Sequence, residues 1–138
     1  AARPAASAPL TAVRELPAVR APYSWYEGAP GYRKGVEEAR LDHRPLAVYL
    51  FGADCAACRE LESGPLRSSE VSDYLRGVVK VRLDAGAGAD EKAIADQLGA
   101  RDLPVLLLFP PGGTARRVPT RLATPAELIL AIQQAIGP

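Results

Sequence analysis

Cys55 and Cys58 are the only two cysteines among 138 residues, with Ala56 and Ala57 between them. They follow the apolar run Leu46-Ala47-Val48-Tyr49-Leu50-Phe51 and open a segment that reads as a helix. Two thiols one helical turn apart can close a small disulfide ring. The first of them sits where unpaired backbone N–H groups and the positive end of the helix dipole favour a thiolate. The thiolate is the form that attacks disulfides, so spacing and position together point to a dithiol–disulfide redox pair. Cys55, being N-terminal and the more exposed, reads as the attacking thiol. Cys58, one turn inside, reads as the resolving thiol. A structural bridge or two inert core thiols would be the other uses of the pair. A structural zinc site needs about four ligands. Only His43 offers a further nitrogen and there is no second Cys-x-x-Cys, so no metal is expected.

The rest of the composition narrows the setting. The chain is 48% hydrophobic and 24% charged, with a formal net charge of +1, which suits a globular domain with a core. Without a dense basic patch, and with few aromatics, nucleic acid is not an expected partner. The apolar runs fall far short of the ~20 residues of a membrane span. Methionine is absent, arginine outnumbers lysine, and alanine, proline and glycine are abundant. We therefore expect a processed or trimmed chain from a GC-rich, bacterial coding sequence, with any signal peptide or lipid anchor upstream. Residues 1–24, rich in alanine and proline and without periodicity, read as a flexible linker, and residues 25–138 as one domain.

The elements that must hold the cysteines follow from pattern. Pro30-Gly31 signals a turn. Tyr32, Val36, Ala39 and His43 then recur at helical spacing, giving a helix of about ten residues that ends at Arg44-Pro45, with His43 on its packed face. Residues 46–52 are apolar on both faces, as in a central strand. The helix from Cys55 stops at Gly64-Pro65. Ser68 or Ser69 caps a short helix, and 78–83 form another strand. Asp90 caps a helix that Gly99 stops. Strands follow at 105–109 and, on an edge before Pro119, at 114–118. Thr124-Pro125-Ala126-Glu127 is a capping box opening the last helix. The order predicts an α/β fold: a mixed sheet of about four or five strands with helices on both faces.

Three segments resemble the thioredoxin superfamily. Phe51-Gly52-Ala53-Asp54-Cys55-Ala56-Ala57-Cys58 is similar to its strand-to-active-site junction. Val79-Lys80-Val81-Arg82-Leu83-Asp84 resembles its next strand, and Leu98 to Phe109 the segment carrying its cis-proline. With Trp25 and the helix ending at Arg44-Pro45, the chain looks most like periplasmic and secretory members. One example is the C-terminal domain of the bacterial thiol:disulfide interchange protein. The resemblance implies a thioredoxin fold. It also implies a cis bond before Pro104, with the Pro104 loop facing the cysteines and the Leu103 backbone pairing with a substrate peptide as an added strand. Lys80 is either a solvated edge residue or, as the resemblance implies, a buried cation near Cys58. Asp54 reads as a helix cap, or else as a charge acting on Cys55. Trp25 is a packing residue or flanks the site. The sequence departs from the family at Asp54 for tryptophan, Ala56-Ala57 for Gly-Pro, Arg121 for glycine, and Tyr49 for a buried aspartate that helps deprotonate the second cysteine. A phenol with a pKa of about 10 is no base near neutrality, so water or a carboxylate from elsewhere must serve Cys58.

Two functional readings stand at this point. The first is a thiol–disulfide oxidoreductase acting outside the cytoplasm, in the bacterial periplasm, probing protein thiols and disulfides as substrates. It needs no cofactor beyond its own disulfide, draws on a membrane or soluble thiol electron donor, and works as a monomer. The alanines give Cys55 no charge or extra donor, so its pKa is expected near ~7 and the couple near about −270 to −200 mV, favouring reduction or isomerisation over primary oxidation. The second reading is a binding module of the same fold with a mainly structural disulfide.

Overall fold

The structure, a computed structural model, describes residues 24–122 and 124–137. The linker expected over 1–24 lies outside the described residues except for Ser24. Twelve segments of regular structure build one five-stranded mixed sheet with helices on both faces. In chain order these are β1 (Tyr26–Glu27), α1 (Gly28–Asp42), β2 (Leu46–Phe51), α2 (Ala56–Ser63), a 3-10 turn (Pro65–Arg67), α3 (Ser69–Tyr74), a second 3-10 turn (Leu75–Gly77), β3 (Val79–Asp84), α4 (Ala89–Gln97), β4 (Val105–Phe109), β5 (Arg116–Val118) and α5 (Pro125–Ile136).

The strands lie in the order β1-β3-β2-β4-β5. β2 is central, parallel to β3 and antiparallel to β4. It is apolar on both faces because helices cover both. Val48 and Leu50 join Val81, Leu83, Val105 and Leu107 under α1 and α4. Ala47 and Tyr49 join Leu106, Leu108, Val118 and Leu128 under α2, α3 and α5. β5 is an edge strand, as Pro119 requires. Ser68 caps α3 through its hydroxyl to the Val71 N–H, and Thr124 and Glu127 form the full capping box of α5.

Three local expectations are corrected. α1 is 15 residues long and begins at Gly28, so Pro30-Gly31 lies in its first turn and makes no turn of its own. Proline is tolerated there because early helical N–H groups have no intrahelical partner. The Ala29 N–H instead donates to Glu91 Oε2 on α4, 3.1 Å away. α1 also buries a different face. Ala29, Gly31, Gly35 and Ala39 are buried, Val36 is exposed, and His43 is an exposed left-handed C-cap rather than a packed residue. The glycines let the helix come close: a Cβ on Gly35 would lie 2.6 Å from Val81 Cγ2. Finally, Gly88 is the N-cap of α4, and Asp90 sits exposed in its first turn without capping it.

Candidate functional site

β2 delivers the chain to the cysteines. After Phe51 it leaves the sheet through Gly52, turns at Ala53-Asp54, and enters α2 at its N-cap, Cys55. Cys55 and Cys58 are joined in a disulfide, with Cα atoms 5.2 Å apart. The Cys58 N–H donates to Cys55 Sγ over 3.1 Å, so the sulfur itself does the work of a capping oxygen. That corrects the role read for Asp54. Its side chain is exposed and Cys55, not Asp54, caps the helix. The two sulfurs differ in access. Cys55 is half-buried, whereas Cys58 is 1% exposed. Arg59 braces the approach by donating from Nη1 to the Ala53 carbonyl at 3.1 Å.

The Leu103–Pro104 peptide bond is cis. The antiparallel register pairs Leu50 with Val105, which sets Pro104 beside the end of β2 where the cysteine turn begins. Leu103 closes on that turn: its Cδ1 would stand 3.1 Å from a Cβ on Gly52. Gly52 therefore leaves room for the Leu103 side chain. Thr120 Oγ1 lies 3.5 Å from the Pro104 carbonyl, tying the segment after β5 to the same loop. Arg121 is exposed and, with Ala57, Glu60, Leu61, Thr120 and Leu122, lines an open cleft of about 470 Å³ along α2.

Behind Cys58 the core is polar at one point. Tyr49 is fully buried, and its hydroxyl donates to Glu62 Oε2 at 2.8 Å; the hydroxyl also lies 3.3 Å from the Cys58 carbonyl oxygen. Burial, and then the hydrogen bond and charge of Glu62, push the Tyr49 phenol well above its ordinary range; Arg82 opposes this weakly. Arg82 Nη2 stands 3.8 Å from Glu62 Oε1. Its guanidinium carbon lies 4.5 Å over the Phe51 ring, which stacks on Tyr49 with centroids 5.6 Å apart. Glu62 opens on a cleft of about 340 Å³ lined also by Trp25, Leu66, Arg67 and Arg82. Trp25 thus packs beside this cleft.

Glu62 was not singled out from sequence. Its signal was there, since a carboxylate four residues after Cys58 returns to the same side of the helix. Its pairing with Tyr49 depends on how α2 packs on β2. Lys80 is buried, 4% exposed, which disposes of the solvated-edge reading. Its ammonium donates to the Leu75 and Val78 carbonyls, both at 2.9 Å, with Arg44 and Glu38 as its charged neighbours. Those contacts lie toward the end of the sheet opposite the cysteine turn. Burial first, then Arg44, lower its pKa to about 8. Among the described residues no cluster of histidine, cysteine and acidic side chains is arranged to hold a metal ion, and no helix is long and apolar enough to cross a membrane.

No family model matches the chain, and no curated protein matches it in sequence. Solved structures match its fold. The C-terminal domain of DsbD from Neisseria meningitidis in the oxidised form superposes with a TM-score of 0.68 at 14% identity, covering 81% of this chain and 99% of that one. A DsbH oxidoreductase gives 0.66 at 18% identity, covering 82% and 83%. A thioredoxin from Thermus thermophilus gives 0.63 at 19% identity, covering 80% and 86%.

Proposed function

From a chain with the thioredoxin fold, we propose a thiol–disulfide oxidoreductase in which Cys55 is the nucleophile and Cys58 the resolving thiol. The observation that carries this is the asymmetry of the pair. One sulfur is accessible at a helix N-terminus and receives a backbone N–H, and the other is buried one turn further in. In the reduced protein the Cys55 thiolate attacks a substrate disulfide, forming a Cys55–substrate disulfide and releasing one substrate thiolate. Cys58, once deprotonated, attacks Cys55 Sγ, closes the Cys55–Cys58 bond seen here and releases the second substrate thiolate. Two electrons have passed from the protein dithiol to the substrate, and a thiol donor must return them. The Leu103–Pro104 segment, beside the cysteine turn, offers the Leu103 backbone to an extended substrate peptide.

Protein disulfides outside the cytoplasm are the proposed substrates, with reduction or isomerisation as the direction. The likeness to Dsb proteins supports the location. The lack of any charged or donor side chain at Ala56 and Ala57 supports a mildly reducing couple. No cofactor beyond the disulfide is invoked, and the protein acts as a monomer. Insulin reduction with dithiothreitol tests the activity. Catalysed precipitation is expected, abolished by Cys55→Ser, while Cys58→Ser should accumulate the mixed disulfide. If wild type is no faster than dithiothreitol alone, the reading fails and the disulfide is structural.

A further inference from the structure

We propose that Arg117 is a positioning residue for substrate docking. From the edge strand β5 it holds the loop that offers the Leu103 backbone to a peptide, and so sets a preference for disulfides in extended protein chains over small free disulfides. The proposal rests on the oxidoreductase reading and deepens it, because only a protein that exchanges disulfides has a use for this loop held in one shape.

The loop is gripped at both ends by β5 and the residues after it. At one end, Arg117 Nη2 donates to the Arg101 carbonyl over 3.0 Å. At the other, Thr120 Oγ1 lies 3.5 Å from the Pro104 carbonyl. The strand directs Arg117 to this contact. β5 pairs Val118 with Leu106 and Arg117 with Leu107, and Val118 is buried in the core on one face of the sheet. Alternation sends Arg117 to the other face, on the side of Leu107, where it is exposed at the sheet edge.

Between the two contacts lie Asp102 and Leu103. Asp102 has φ 59°, in the left-handed region, which a residue bearing a side chain keeps only where its surroundings hold it. The Arg101 carbonyl belongs to the peptide unit entering Asp102, so the Arg117 bond fixes one side of that torsion. Leu103 then turns its side chain toward Gly52, with Cδ1 3.1 Å from where a Cβ would stand. The main-chain N–H and C=O of Leu103 make no hydrogen bond among the described residues. Unpaired backbone groups beside the cysteine turn can form the ladder bonds of an added strand. Those bonds need the N–H and C=O aimed at the incoming chain, and the direction is set one residue earlier, at Asp102. A small disulfide has no backbone to pair and gains nothing from that aim.

The test compares two disulfides. Reduced protein is mixed with insulin, whose disulfides lie in peptide chains, or with dithiodipyridine, a small neutral disulfide without a backbone. Salt at about 0.5 M screens the surface charges, so that loss of a positive charge is not read as loss of docking. In Arg117→Met the second-order rate constant for insulin should fall at least about threefold, while that for dithiodipyridine stays within about twofold of wild type. An arginine that only stabilised the fold would shift the urea midpoint and leave the ratio of the two constants unchanged. The proposal is overturned if the insulin constant falls by less than about threefold, or if the two constants fall together. Should Arg117→Met not fold, Arg117→Gln, with a shorter side chain, takes its place under the same thresholds. If reduced wild type passes no electrons to insulin at all, the oxidoreductase reading itself fails, an outcome distinct from an unchanged ratio.

Discussion

Replacing Lys80 by methionine should flatten the alkaline rise in stability of the protein. Lys80 is 4% exposed, and the pKa of its ammonium in the folded state is lowered from 10.5 to about 8. Burial is the main cause; the Arg44 charge adds to it and Glu38 opposes it. A base with a lowered folded pKa holds fewer protons in the folded than in the unfolded chain between those two values. Stability therefore rises with pH through that window, and the penalty is fully present below about pH 8. A fall of this size corresponds to about 3 kcal/mol of penalty at neutral pH, of which about 2 kcal/mol is relieved by pH 9.5.

Lys80→Met removes the charge and its penalty. It also strips the Leu75 and Val78 carbonyls of their donor, at about 1–3 kcal/mol for each charged hydrogen bond. At pH 7 the two effects offset each other to within a few kcal/mol, so the midpoint at one pH decides nothing. The pH dependence decides. Urea denaturation of the oxidised proteins at about pH 7 and 9.5 should show the wild type gaining about 2 kcal/mol relative to Lys80→Met. Tyr49 and Tyr32, whose pKa values are raised by burial, titrate in both chains and cancel in the difference. A difference between the chains that stays constant within about 0.5 kcal/mol would refute the buried-cation account.

Two further outcomes are expected. Substoichiometric iodoacetamide on the reduced protein near neutral pH should alkylate Cys55 far more than Cys58, as read by peptide mass spectrometry; equal labelling would remove the assignment of Cys55 as nucleophile. Gly35→Ala should lower stability by about 1–2 kcal/mol despite the better helix propensity of alanine, because its Cβ would lie 2.6 Å from Val81 Cγ2 in the core. In a Val81→Ala background the same substitution should cost nothing, and a gain in stability in the wild-type background would contradict the close packing of α1 on β3.

What was legible in the sequence was local. The apolar run of β2, the strand at 105–109 and the Thr124–Glu127 capping box each carry their signal within a few residues, and each stands where pattern places it. The cysteine turn was legible for the same reason, since Cys55 and Cys58 need only one helix end to be brought together. What escaped depends on distant partners. The start of α1 at Gly28 relies on Glu91, 62 residues on, taking the Ala29 N–H. Its buried face is set by the approach of glycines to β3, so the large apolar residues at helical spacing mark a different stripe. β1 has two residues, too few for a period, and exists because β3 offers it an edge. In Val79-Lys80-Val81-Arg82-Leu83 the alternation resembles a half-solvated strand. Yet the face carrying Lys80 and Arg82 is covered by the segment ending in Leu75 and by α2, and each cation is met there by oxygen atoms.

That covered face also explains how the site tolerates Tyr49 where the resembling family has a carboxylate. A carboxylate in the middle of β2 would be buried among Ala47, Leu106 and Leu108 and would carry a desolvation cost. Here the buried position holds a phenol, which is neutral and whose hydroxyl is hydrogen-bonded. The carboxyl group stands instead on α2, at Glu62, beside Arg82 and the open cleft. The two cysteines consequently depend on different parts of the fold. Cys55 is served by the main chain of the α2 N-terminus, with alanines following it and an N–H from Cys58 on its sulfur. Behind Cys58, the Tyr49 hydroxyl lies between the Cys58 carbonyl and Glu62, which Arg82 approaches from β3. Changes at Ala56 or Ala57 should therefore act beside the accessible sulfur, and changes at Tyr49, Glu62 or Arg82 on the polar packing behind Cys58. The division follows from where the polar atoms lie: backbone donors at the accessible sulfur, and a hydroxyl–carboxylate–guanidinium chain leading from the buried residue to solvent.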